Sequence, residues 1–161
     1  MDLLRNQLKT VYEDFHMQLF TIALSITRDR DLAEDAIHNT FLSILKRNFM
    51  PEDLKLYVFK SVRNSAVDII RKKKILPLCE GNNYIFDNSS SLEEEMEQKE
   101  FKQQVAEGLL KLTANERETI IQHLYAELTF IEISNILDAP IGTVTSWYRR
   151  GIAKLKEFCK E

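Results

Sequence analysis

The chain has 161 residues, a net charge of −3, and 44% hydrophobic and 29% charged residues, a composition that excludes general disorder and fits one domain or two small ones. It has only four glycines, and its two cysteines and three histidines fall in no metal-ligand or CxxC spacing, so we expect no catalytic residue, metal site or cofactor. No long apolar run and no signal-peptide pattern is present. A cytoplasmic protein without membrane insertion is therefore expected.

The first half of the chain is predicted to be helical because its apolar residues recur at every third or fourth position. This periodicity predicts three helices, whose apolar faces run from Leu4 to Ile26, from Leu32 to Leu45 and from Leu54 to Ile70. Asp31 and Glu34 form a capping-box pattern at the start of the second helix. Pro51 suits the first turn of the third helix.

The periodicity disappears between residues 76 and 91, where proline, glycine, asparagine and serine are frequent, and this segment is predicted to be a flexible linker. Three capping-box pairs follow: Ser91 with Glu94, Thr113 with Glu116, and Thr129 with Glu132. They predict helices over residues 92–112, 114–125, 130–137 and 141–158. No strand-like alternation competes, so the predicted fold is all-α, with two small helical domains at residues 1–75 and 92–161.

The last two predicted helices have the spacing of a helix-turn-helix, whose second helix enters the DNA major groove. Asp138 lies in the short turn between them, where a positive φ is expected and where aspartate tolerates it. The second helix begins with hydroxyl side chains and continues with two arginines, residue types that bind phosphates and guanine edges. A plain helical hairpin with a basic outer face is the alternative.

This second half resembles region 4 of sigma-70 family factors. The resemblance is carried by Gly142-Thr143-Val144-Thr145-Ser146, preceded by Leu112-Thr113 and Glu116-Arg117-Glu118. The same motif resembles the output domains of LuxR-type regulators, so this half does not separate the two families. The resemblance implies contacts to the −35 promoter element from Thr143, Thr145, Ser146, Trp147, Arg149 and Arg150. The family commonly has lysine at the position of Thr145 and arginine at that of Trp147.

The first half resembles sigma region 2, which favours the sigma family. Residues 32–42 resemble the polymerase-binding helix of that region, and residues 57–68 resemble the helix that meets the −10 element, with the basic run 71–74 after it. His38 and Asn39 replace the usual glutamine and acidic residue. The implied polymerase-binding residues are Glu34, Asp35, His38, Asn39, Phe41 and Leu42. The implied −10 contacts are Asn48, Phe49, Lys60, Arg63, Asn64, Arg71 and Lys72.

Two of these surfaces have an equally simple alternative. The loop from Asn48 to Asp53 resembles the loop that captures a base flipped out of the −10 strand, and opening a duplex requires such a pocket. Phe49, at its tip, could instead be an ordinary core residue. Asp35 and Asn39 share an exposed helix face suited to a basic partner, but a solvated face would have the same pattern.

Because only regions 2 and 4 are represented, the chain resembles the extracytoplasmic-function (ECF) group of sigma factors. The resemblance implies a non-enzymatic transcription initiation factor that binds promoter DNA and the β′ clamp helices and β flap of core RNA polymerase. It also implies regulation by an anti-sigma factor. The alternatives are a stand-alone helix-turn-helix regulator, with a LuxR-like second half and a helical interaction domain, and a helical adaptor that binds only protein.

Overall fold

The computed structural model describes residues 2–73 and 95–160, and every element in these two ranges is helical. The all-α prediction is therefore confirmed. The helices are α1 (Asp2–Thr27), α2 (Arg30–Arg47), α3 (Leu54–Lys73), α4 (Glu95–Leu110), α5 (Ala114–Ile120), α6 (Phe130–Leu137) and α7 (Ile141–Cys159), and a π-helical turn (Ile121–Tyr125) continues α5. The predicted linker 76–91 and the Ser91–Glu94 capping box lie outside the described residues, and the domain division stays a prediction.

Two helix starts in the first half differ from the prediction. The N-cap of α2 is Asp29, whose side chain accepts a hydrogen bond from the Leu32 N–H, so the capping box expected at Asp31 is wrong. The third helix begins at Leu54, which leaves Pro51 outside its first turn. Asp53 accepts a hydrogen bond from the Leu56 N–H there at 3.0 Å. In both cases the nearest preceding carboxylate satisfies an otherwise unpaired amide of the first turn.

The two described capping boxes of the second half are confirmed. Thr113 and Glu116 bond reciprocally at the start of α5, and Thr129 and Glu132 do so at the start of α6. The helix predicted over residues 114–125 changes character at residue 121, where the Ala126 N–H bonds back to the Ile121 carbonyl five residues earlier. This wider turn leaves both Ile121 and Gln122 buried.

The main apolar core lies among α1, α2 and α3 and continues into the second half of the chain. Phe59 is fully buried in it and meets Phe15 edge to face, with 5.8 Å between the ring centroids. The second half contributes Ile121, Ala126, Leu128, Ile133, Ile136 and Val144 to the same cluster. A smaller core of Leu109, Leu112 and Ile120 joins α4 and α5 to α7. The two halves therefore share buried surface, with α6 packed on α3 and the π-helical turn packed on α1.

Candidate nucleic-acid interface

The turn between α6 and α7 has the geometry that the sequence predicts. Asp138 has φ 51° and ψ 47°, the left-handed conformation expected at this position. The Ser134 hydroxyl donates a 2.6 Å hydrogen bond to the Ala139 carbonyl, and the Ala139 N–H donates to the Ser134 carbonyl at 3.1 Å. These two bonds close the turn and fix the angle at which α7 leaves α6.

The N-terminal part of α7 carries an open groove. It is lined by Pro140, Gly142, Thr143, Ser146, Arg149 and Arg150. Pro140 provides no side-chain cap, so the first-turn N–H groups of α7 face a position where an anion is favourable. The groove therefore combines helix amides, two hydroxyls and two exposed guanidinium groups, the donors that recognise phosphates and guanine edges.

Two predicted DNA contacts do not line this groove. The Thr145 hydroxyl donates to the Gly142 carbonyl at 3.0 Å, and Trp147 packs against the main core. Their residue types depart from the family pattern, and here one is bonded within its helix while the other contributes to packing. Both stay predictions as DNA contacts, and the groove itself depends on Thr143, Ser146, Arg149 and Arg150.

The position of α7 is fixed by two contacts with α5 that sequence reasoning missed. A Cβ atom at Gly151 would lie 2.5 Å from Cδ1 of Ile120, so glycine permits the close crossing of the two helices. Lys154 donates to both carboxylate oxygens of Glu116, at 2.9 and 3.1 Å. Burial would raise the pKa of Glu116, but the hydrogen bonds from Lys154 and Thr113 outweigh it and lower the pKa. Lys154 thus neutralises the buried Glu116 carboxylate and ties α7 to α5, although about half of its own side chain, 51%, stays exposed.

The predicted polymerase-binding residues lie along one side of α2. Asp35, His38, Asn39 and Leu42 are exposed. Glu34 is half-buried and lies between two imidazoles, 3.5 Å from Nε2 of His16 and 3.9 Å from Nε2 of His38. Phe41 is also half-buried and meets the Tyr12 ring edge to face. The exposed set forms a surface that a partner can reach, whereas Glu34 and Phe41 also hold α2 against α1.

The predicted −10 residues on α3 fall into two groups. Asn64, Arg71 and Lys72 are exposed. Lys60 and Arg63 instead form ion pairs with the second half of the chain: Lys60 with Asp138 at 2.9 Å, and Arg63 with both carboxylate oxygens of Glu118 at 3.0 and 3.2 Å. These pairs join residues 78 and 55 positions apart, and no spacing signal in the sequence identifies them.

The loop before α3 presents an aromatic side chain to solvent. Asn48 ends α2 in the left-handed conformation, with φ 51°. Phe49 follows it and is 55% exposed, with its ring 6.2 Å from that of Tyr57 in an edge-to-face arrangement. The alternative that Phe49 is a core residue is therefore wrong. An exposed ring beside a second aromatic ring offers a surface on which an unpaired base can stack.

Within the described ranges, no group of three or more histidine, cysteine, aspartate or glutamate side chains could hold a metal ion. None of the helices in those ranges is long and apolar enough to cross a membrane.

Comparison with known proteins supports the resemblance to sigma factors that the sequence motifs indicate. Residues 108–157 match the family model "Sigma-70, region 4". The ECF RNA polymerase sigma factor SigM of Bacillus subtilis (strain 168) is 26% identical over 150 residues, which cover 91% of each chain. This match extends across both halves, whereas a LuxR-type regulator would resemble only the second.

Two solved structures share the fold. The sigma factor RpoE of Bartonella quintana, solved in complex with the anti-sigma factor NepR, has a TM-score of 0.74 at 22% identity, with 99% of this chain and 98% of that chain covered. CnrH, solved in complex with the cytosolic domain of CnrY, has a TM-score of 0.69 at 18% identity, with 97% and 89% covered. Residues 108–157 thus match region 4 of the sigma-70 family, and the chain as a whole is similar in sequence to an ECF sigma factor and in fold to a sigma factor.

Proposed function

We propose that this chain binds core RNA polymerase and directs it to promoters by reading a −35 element with α7 and a −10 element with α3 and the loop before it. The groove of Thr143, Ser146, Arg149 and Arg150 at the start of α7 carries this proposal. The mechanism is recruitment and DNA opening, with no covalent step by this chain. In this arrangement the α2 surface contacts the β′ clamp helices, and the second half contacts the β flap.

The test is run-off transcription from genomic DNA fragments by core polymerase with and without the purified chain. We expect transcripts from discrete start points only when both are present. A chain that binds duplex DNA specifically and as a dimer without polymerase would instead be a stand-alone regulator. One that binds polymerase without changing the start points would be an adaptor.

The Arg149→Ala variant tests duplex reading. Loss of a bidentate contact to guanine should weaken holoenzyme binding by about 1–3 kcal/mol and relax preference at one upstream position. A contact to phosphate would instead weaken all sequences equally and reduce the salt slope by about one. Binding selection from a duplex library with a randomised upstream element, repeated at several salt concentrations, separates these results. Lys99→Ala on α4 is the control of equal charge change, and an Arg149→Ala variant that matched it would remove Arg149 from the interface.

The Asp35→Arg variant tests polymerase docking. Asp35 is exposed on α2, so the free energy of unfolding should change by less than about 0.5 kcal/mol. Affinity for core polymerase should fall by about tenfold or more, because a reversed charge repels a basic partner. Fluorescence titration of labelled chain with core polymerase measures it. Glu157→Arg on α7 makes the same charge change elsewhere, and equal affinities for the two variants would show that this side of α2 is not the docking surface.

The partners named for the two structurally similar proteins support a further proposal. RpoE and CnrH were each solved with a second protein, the anti-sigma factor NepR and the cytosolic domain of CnrY. We propose that an anti-sigma factor also binds this chain and competes with core polymerase. Copurification from the native host, followed by competition against core polymerase, tests this.

A further inference from the structure

Three aromatic rings from three consecutive elements contact one another on the inner side of α7. His123 lies in the π-helical turn, Phe130 begins α6 and Tyr148 lies in α7. The His123 and Phe130 rings are stacked, with 4.2 Å between their centroids and 14° between their planes. Tyr148 meets both rings edge to face, at 4.9 Å from His123 and 5.1 Å from Phe130. We call these three residues the ring cluster.

The His123 ring is fixed by a hydrogen bond as well as by stacking. Its Nδ1 atom lies 2.9 Å from the Leu128 carbonyl oxygen, and because a carbonyl oxygen can only accept, Nδ1 carries the proton. Leu128 is itself buried, and its N–H donates to the Gln122 carbonyl at 3.0 Å. The imidazole is therefore held in one orientation against the segment that joins the π-helical turn to α6.

The ring cluster reaches α7 next to the arginines of the groove. Tyr148 immediately precedes Arg149 and Arg150, and both arginines are exposed in the groove lining. Tyr148 is half-buried and also packs on the smaller core that joins α4 and α5 to α7. Because a helix is rigid over a single turn, a displacement of the Tyr148 ring would rotate the segment that carries both guanidinium groups.

Reading a base depends more strongly on the orientation of α7 than binding a phosphate does. A guanidinium recognises guanine by two hydrogen bonds, to O6 and N7, and hydrogen bonds weaken steeply as their angle departs from linearity. A phosphate contact is mainly electrostatic and carries no sequence information. A small rotation of α7 would therefore lower discrimination between sequences and leave nonspecific affinity nearly unchanged.

We propose that His123 is a positioning residue for DNA reading: its ring, through Phe130 and Tyr148, holds α7 at the angle at which Arg149 reaches a base edge. His123 does not line the groove, so it acts on DNA only through α7. This inference rests on the proposed function, because it takes α7 as the helix that reads the upstream element.

Two substitutions separate the His123 ring from its hydrogen bond. His123→Asn keeps an N–H donor near the position of Nδ1 but removes the ring, whereas His123→Phe keeps a ring and removes the donor. His16→Asn is the matched control, because His16 is also half-buried and contacts two aromatic rings, those of Tyr12 and Phe20, but lies on α1. Circular dichroism and thermal unfolding establish that each variant is folded.

The measurement is made on holoenzyme assembled from core polymerase and each variant. Fluorescence anisotropy gives the affinity for the duplex that wild-type holoenzyme selects from the randomised upstream library, and for the same duplex with that element scrambled. The ratio of the two affinities is the discrimination, in which effects common to both duplexes cancel. We expect His123→Asn to lower it about fivefold or more, as loss of one bidentate base contact would. His123→Phe and His16→Asn should stay within about twofold of wild type.

Tyr148→Leu tests the same route from the other side of the contact. Leucine keeps an apolar side chain on the smaller core but removes the ring that His123 meets. We expect the same loss of discrimination as for His123→Asn, and this variant replaces His123→Asn if the latter does not fold. Unchanged discrimination in Tyr148→Leu would contradict the route through this ring.

A double-mutant cycle with Arg149→Ala tests whether His123 acts through Arg149. Adding His123→Asn to Arg149→Ala should change the discrimination by less than about twofold, because the group that His123 positions is already absent. Fully additive losses would overturn the positioning role.

Three further results would overturn this inference while leaving the proposed function intact. The first is wild-type discrimination in His123→Asn. The second is an equal loss in His16→Asn, since lower stability alone would then explain it. The third is a loss in His123→Phe as large as that in His123→Asn, since the ring would then position nothing. If Arg149→Ala itself discriminated as wild type does, the proposed reading by α7 would fail, and this inference with it.

Discussion

Replacing Phe59 with alanine is expected to lower the free energy of unfolding by roughly 3–5 kcal/mol, the usual cost of removing a buried phenyl ring. Phe59 is fully buried on α3 and contacts Phe15 of α1 edge to face. The loss therefore combines transfer of the ring, the cavity left behind and a lost aromatic pair. For a domain of this size such a change is a large part of the total stability.

Urea unfolding followed by circular dichroism measures this loss. Phe59→Leu is the matched control, since it keeps most of the volume and should cost under about 2 kcal/mol. Phe41→Ala should cost less than Phe59→Ala, because Phe41 is only half-buried. A Phe59→Ala variant within about 1 kcal/mol of wild type would contradict the assignment of this ring to the centre of the core.

Phe49→Ala is expected to impair promoter opening while leaving stability and duplex binding nearly unchanged. The ring is 55% exposed, so the free energy of unfolding should change by under about 0.5 kcal/mol. Loss of base stacking should destabilise the open complex by about 1–3 kcal/mol, which lowers the equilibrium constant for its formation by roughly five- to 150-fold. The single substitution tests base stacking alone. Replacing the whole loop would also remove the left-handed Asn48 and the Asp53 hydrogen bond that begins α3.

Permanganate footprinting of holoenzyme on a native template and on one with a pre-melted −10 bubble measures the opening. We expect the defect on the native template and substantial recovery on the melted one. Met17→Ala, which removes another exposed apolar side chain, should behave as wild type on both. A Phe49→Ala variant equally defective in duplex binding and on both templates would show that the loop is structural and captures no base.

Local signals in the sequence determined the helices of this protein. Apolar spacing located them, and the capping boxes at Thr113 and Thr129 fixed two starts because each depends only on residues three positions apart. The left-handed turn at Asp138 was predictable for the same reason. The start of α2 was misplaced because Asp31 is as plausible a capping residue as Asp29, and Pro51 was expected inside α3 although that helix begins after Asp53.

The contacts made by the predicted site residues depend on residues that are distant in the sequence, and local patterns do not predict them. The sequence identified Arg149 and Arg150, which follow the hydroxyl residues at the start of α7, as donors suited to DNA, and the structure leaves both exposed in the lining of the groove. The sequence allowed Phe49 to be either a core residue or an exposed loop residue. Only the tertiary structure shows that its ring is exposed. Lys154, by contrast, follows the two arginines in the sequence as one more cation, but in the fold it bonds Glu116 of α5.

The sequence by itself determined an all-helical chain, a helix-turn-helix near its end and the residue types that can meet DNA. Only the tertiary structure decided which of those residues are available. Lys60 and Arg63 are cations in any conformation, but their pairing with Asp138 and Glu118 spans 78 and 55 positions of the chain. Helix and cap formation depend on neighbours within one turn, whereas an ion pair between distant segments depends on how the packed helices are placed. Which cations of α3 are paired with acidic side chains is therefore determined by the tertiary fold.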